Sequence, residues 1–88
     1  MQGEFGSAIV KSASGNVKPI ACQLLGFFCN STSSGTIILY DDASTGTTNA
    51  ISGTITPSAG TYYPFPASLT AGLGVVIANT LNVTIFVQ

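Results

Sequence analysis

The fold turns on one stretch, Ile20-Ala21-Cys22-Gln23-Leu24-Leu25-Gly26-Phe27-Phe28-Cys29-Asn30-Ser31-Thr32-Ser33-Ser34-Gly35-Thr36-Ile37-Ile38-Leu39-Tyr40. In its first half Ile20, Cys22, Leu24 and Phe28 alternate with Ala21, Gln23, Leu25, Phe27 and Cys29, so both faces carry apolar groups. That pattern, entered from Val17 past the bend-prone Pro19, reads as a central strand over residues 17–29. Gly26 within it marks a bulge or a close backbone approach. The polar run at 30–35 reads as a turn and 36–40 as the next strand, which makes the pair a hairpin.

Outward from this stretch the same grammar repeats. Residues 72–79 and 81–87 read as two strands joined tightly at Asn79-Thr80, the second with Leu81, Val83, Ile85 and Val87 on one face and Asn82, Thr84 and Phe86 on the other. Residues 50–56 set Ile51, Gly53 and Ile55 against Ser52 and Thr54, the mark of a half-buried strand closed by Pro57-Ser58-Ala59-Gly60. Residues 61–66 carry Pro64 and Pro66 and read as an extended edge segment, because proline has no N–H to donate to a ladder. Residues 5–12 alternate weakly, Ser14-Gly15-Asn16 reads as a turn, and 43–49 as an exposed loop. Val, Ile and Thr number 6, 8 and 11, against one Glu, two Lys and three Gln, so propensity also favours strands. These features predict an all-β chain, a small antiparallel β-sandwich or jelly-roll-like barrel of six to eight short strands. Residues 1–16 form an N-terminal arm or edge strand and 17–88 the sandwich core. The arm, with Phe5, Ile9 and Val10 as its sizeable anchors, contributes little to that core and is expected to reach a neighbour.

The chain has 88 residues, enough for one small domain. Only Glu4, Lys11, Lys18, Asp41 and Asp42 are charged, 6% of the sequence where about a quarter is usual. With a net charge of −1 and no basic stripe, no nucleic-acid partner is expected. An apolar share of 45% argues against disorder, and no run approaches the length of a membrane-spanning helix, so no membrane partner is expected either. The start Met1-Gln2-Gly3-Glu4 does not read as a secretory signal. Solvation falls to 10 Ser, 11 Thr and 5 Asn, a surface that does not repel its neighbours and suits a packed assembly. A homo-oligomer, trimer or dimer, is expected.

Chemistry is scarce. Histidine is absent, which removes the usual proton shuttle and every Ser-His-Asp or Cys-His site. Asp41 and Asp42 are adjacent, so on a regular strand they face opposite sides and cannot share one substrate. Asp42, Ser44 and Gly46 loosely follow the spacing of a calcium loop without its remaining acids, and a solvated turn is the simpler reading. No enzyme activity, catalytic residue, metal site or cofactor is expected. Cys22 and Cys29, if on one strand, lie roughly 23 Å apart, beyond disulfide reach. Their opposite parity places them on opposite faces as two free thiols. The aromatic group Tyr62, Tyr63 and Phe65 could stack on a sugar, fill a neighbour's groove or lid the sandwich. With Phe5, Ile9 and Val10 it completes the set of interaction candidates.

The run Gly35-Thr36-Ile37-Ile38-Leu39-Tyr40-Asp41, then Ala43-Ser44, the Thr56-Pro57 turn, Gly72-Leu73-Gly74-Val75 and the terminal Val83-Thr84-Ile85-Phe86-Val87 resemble, in order, a layout of small structural proteins of tailed bacteriophage virions. The resemblance covers residues 24–87. It implies a virion protein assembled in the host bacterial cytoplasm, a capsid decoration or cement subunit whose partner is the major capsid protein or another virion protein. The alternative it implies is a tail, neck or fibre-associated module with a host-surface or carbohydrate-binding role.

Overall fold

In the computed structural model, which describes residues 7–88, the polar run at 30–35 does not reverse the chain. It sits inside one 19-residue strand. The elements are β1 (Ser7–Lys11), β2 (Gly15–Lys18), β3 (Cys22–Tyr40), β4 (Tyr62–Leu69) and β5 (Leu73–Val87), and no described residue is helical. They form one antiparallel five-stranded sheet ordered β1-β5-β3-β4, with β2 pairing the other half of β5. The expected hairpin and the expected turn at Asn79-Thr80 are therefore both corrected. Instead, β3 and β5 pair along nearly their whole lengths, from Leu24 opposite Val87 to Tyr40 opposite Gly74.

The two polar runs meet each other across this pairing: Ser31 faces Asn82, Thr32 faces Leu81, and Ser33 and Ser34 share Thr80. Two residues against one is a bulge, which bends a strand and increases its twist. The bend is required by size. Nineteen residues of straight strand would run about 63 Å, whereas the protein measures 35 × 30 × 17 Å. Backbone geometry marks the corner, with Ser34 at φ 58° and Asn79 at φ 62°. Its polar groups close on one another. The Asn79 side-chain amide donates to the Ser34 carbonyl at 2.8 Å, the Gly35 N–H donates to Thr32 Oγ1 at 3.0 Å, and that hydroxyl donates to the Thr80 carbonyl at 3.3 Å.

The bend lets one face of the sheet close on itself. Leu24, Phe27, Cys29, Val83, Ile85 and Val87 from one half and Ile37, Leu39, Leu73 and Val75 from the other belong to a single buried cluster, joined by Leu69 and Leu81. Each fully buried side chain of this size contributes up to about 1.5–3 kcal/mol. The corner itself is largely exposed.

Edges differ from expectation in detail. β4 is an edge strand, as its prolines require, and alternates Tyr63, Phe65, Ala67 and Leu69 inward. Residues 14–16, read as a turn, instead lead into β2. Residues 50–56 form no regular strand. Ile37 and Ile55 exchange backbone hydrogen bonds at 2.9 Å, Ile51 N–H donates to Leu39 O at 2.8 Å, and the Ser52 hydroxyl accepts from Leu39 N–H at 3.0 Å where a ladder carbonyl would stand. From Ser7 the N-terminal stretch belongs to the chain's own sheet: β1 pairs β5 from Ser7–Val87 to Lys11–Val83, and Ile9 packs against the core. Cys22 and Cys29 are both free and share the core side, correcting the parity argument, because a register shift between Leu24 and Gly26 exchanges the faces.

The corner generates a prediction. A Cβ at Gly35 would collide with the Thr80 carbonyl and lie 2.6 Å from Leu81 Cβ. Gly35→Ala should therefore lower stability by about 1–3 kcal/mol, the usual range for overpacking, measured by urea denaturation. Unchanged stability would mean that the strands do not cross this closely.

Candidate functional site: an apolar recess on the outer face

The register shift that carries Cys22 and Cys29 to one side places Leu25 and Phe28 together on the other. Leu24 and Phe27 are buried while Leu25 and Phe28 stay partly exposed, so the outer face of this half of β3 carries two large apolar side chains where uninterrupted alternation would separate them. From β5 Phe86 joins them, and from β4 Tyr62 does. The four line an open recess of about 370 Å³. Tyr62 and Phe86 meet edge to face, with ring centroids 5.9 Å apart and planes at 65°, a favourable aromatic geometry.

Gly26 is what admits Tyr62. A Cβ there would collide with the Tyr62 hydroxyl, so glycine leaves room for the phenol to lie across β3 and donate to the Leu25 carbonyl at 3.3 Å. Tyr62 remains 45% exposed despite these contacts. Further along the same face, the Asn30 side-chain amide donates to Asn82 Oδ1 and to Thr84 Oγ1, both at 2.8 Å. Among the described residues no carboxylate, amine or thiol lines the recess, so its capacity is for apolar and aromatic contact with a hydrogen-bonding border.

The structure divides the candidate residues between the two faces. Tyr62 and Val10 lie outside, Val10 60% exposed on β1. Tyr63 stacks on Phe27 at a centroid distance of 5.2 Å and, like Phe65 and Ile9, packs against the core. Phe5 lies outside the described residues. Leu25, Phe28 and Phe86 are the recess residues that sequence reading missed. Gly26 amid aromatic residues was the available signal, but its partner Tyr62 is distant in sequence.

The two adjacent aspartates tie loops. Asp41 accepts from the backbone N–H groups of Ala71 at 2.9 Å, Thr70 at 3.2 Å and Gly72 at 3.4 Å, and from the Thr70 hydroxyl. Asp42 accepts from Ser44 N–H at 2.7 Å and Gly46 N–H at 3.1 Å. Asp42, Ser44 and Gly46 thus form a self-satisfied turn, and among the described residues no cluster of acids and cysteines gathers to hold a metal ion. Donation from Ala71 first, then Thr70, holds the Asp41 carboxyl below its ordinary range, and donation from Ser44 and Gly46 does the same for Asp42. Burial pushes both cysteine thiols up.

Comparison with protein families, with curated proteins and with solved structures finds no match to this chain.

Because both aspartates titrate lower folded than unfolded, their contribution is fully present above the ordinary carboxylate range and lost as pH falls through the depressed values. The melting temperature should drop as pH is lowered below about 4. Asp41→Asn should lower the melting temperature at neutral pH and flatten that acid slope, measured by circular dichroism. An unchanged slope would show that the Asp41 ties do not form.

Proposed function

We propose that this chain is a non-enzymatic structural subunit of a bacteriophage virion, a capsid decoration or cement protein that works by burial. The observation that carries the reading is the outer apolar recess of Leu25, Phe28, Tyr62 and Phe86, set on a sheet half whose other face is already filled by the core. In this reading the bent sheet serves as a small sandwich-like block, rigid enough to present that face. Its partners are a second copy of itself and the major capsid or another virion protein, and it joins the particle in the host cytoplasm.

The physical argument is mass action. A shell opens when adjacent subunits separate, and a protein that binds only the closed arrangement stabilises it in proportion to its occupancy. A seam contact of about 1,200–2,000 Å² is the ordinary size for such binding. An uncharged face keeps the desolvation cost low. The ordered resemblance of residues 24–87 to small tailed-phage virion proteins supplies the setting.

One observation favours a second reading, a tail, neck or fibre-associated module that binds host-surface carbohydrate. The exposed Tyr62 ring shares its face with the Asn30, Asn82 and Thr84 hydrogen-bond cluster, and a ring beside amide and hydroxyl groups suits a sugar.

Locating the chain in intact particles tests the first reading directly, with density over capsid subunits expected. Tyr62→Ser combined with Phe86→Ser should reduce co-sedimentation with capsids at least tenfold while the circular dichroism spectrum stays that of the native protein. Density confined to the tail, together with glycan-array binding lost in Tyr62→Ser, would replace cement with the carbohydrate reading.

A further inference from the structure

The free edges of the sheet are unequal. β4 carries Pro64 and Pro66, which lack N–H groups, and its pairing with β3 is shifted. β2 is short and shifts register between Asn16 and Lys18, and residues 50–55 meet β3 through two isolated bridges and the Ser52 hydroxyl without forming a regular strand. β1 alone pairs its neighbour in unbroken register over five residues, and its other side has no strand among the described residues. An edge of that kind is a template for another strand.

We propose that β1 is the self-association edge of this protein, pairing antiparallel with β1 of a second copy about a twofold axis perpendicular to the sheet and centred on Ile9. The proposal rests on the assembly reading for the expectation of self-contact and adds its place, register and symmetry. Register follows from the two faces. Ser7, Ile9 and Lys11 share the side of Ile85, which is core, whereas Ala8 and Val10 lie opposite Phe86 and Thr84 on the outer side. Opposed residues in an antiparallel pair share a face, so core side meets core side only when odd positions oppose odd positions. Among such registers, centring on Ile9 gives the longest overlap, all five residues.

This register is also electrostatically permissive. Lys11, the one charged residue of β1, stands opposite Ser7 of the second copy rather than against another lysine. On the outer side Ala8 opposes Val10 in both directions, which sets the 60% exposed Val10 against an apolar neighbour. The row Tyr62, Phe28, Thr84, Val10 then continues through Ala8 and Phe86 of the second copy without a charge. A twofold edge contact consumes the edge it uses, so the product is a closed dimer, not a trimer or a fibre.

Analytical ultracentrifugation of the full chain across a micromolar series should show a monomer–dimer equilibrium. Val10→Lys should weaken it at least tenfold, and Tyr62→Ser should leave it within twofold. Register is read by disulfide trapping with the unsubstituted chain as baseline. An oxidised mixture of Ala8→Cys and Val10→Cys chains should give a covalent dimer several-fold above either variant alone. A monomer at every concentration, a trimer, or equal trapping in the single variants would overturn the proposal. Loss of the dimer in Tyr62→Ser but not in Val10→Lys would overturn it too, by moving the contact to the recess. That last result would leave the virion reading standing, since particle binding is measured separately.

Discussion

The bulged corner where Ser33 and Ser34 share Thr80 is the constraint on which the rest of the molecule depends. Without it the two long strands would continue in one direction and their inner apolar row would have nothing to pack against. With it, Leu24, Phe27 and Cys29 share one core with Ile37 and Leu39 of the same strand. The corner has a cost: left-handed backbone at Ser34 and Asn79 is unfavourable by about 1–2 kcal/mol for an ordinary residue, less for Asn. Hydrogen bonds from the Asn79 amide and through the Thr32 hydroxyl offset part of it. The larger compensation is the burial that the bend permits, distributed over twelve side chains.

Much of this was legible in the sequence because strand alternation is a local property. Leu81, Val83, Ile85 and Val87 read as one face, and all four are buried. Pro64 and Pro66 mark β4 as an edge, which it is. The corner was not legible, because Asn30-Ser31-Thr32-Ser33-Ser34-Gly35 has the composition of a turn, and the same small polar residues suit a bulged, solvent-exposed bend. What separates the two is the pairing partner, and Asn79-Thr80 lies far along the chain. Two turns would bring residues 24–29 beside 36–40, whereas the bulge keeps each opposite β5.

The recess was illegible for a related reason. Period-two reasoning carries parity forward from residue to residue, and one register shift at Gly26 inverts every assignment after it. That shift gathers Leu25 with Phe28 outside and Cys22 with Cys29 inside. Gly26 could be recognised as a place where something approaches closely, but the approaching group, the Tyr62 hydroxyl, comes from β4. The structure therefore divides Tyr62, Tyr63 and Phe65, which look equivalent in sequence, into one outward ring and two that serve the core.

Sparse charge and small size act together on the outer face. Asp41 and Asp42 spend their carboxylates on backbone N–H groups of the loops at 70–72 and 44–46, so the acids fix connections and do not flank the recess. A chain this short has one core to fill, and bending the sheet fills it from a single face. Among the described residues no further layer covers the opposite face. Hydroxyls and amides solvate part of that face, as Asn30, Asn82 and Thr84 do, but Leu25, Phe28, Tyr62 and Phe86 are not solvated by them. Folding thus leaves an apolar area that the other described elements of the chain do not cover, and its contact with water is a standing cost of filling the core from one face.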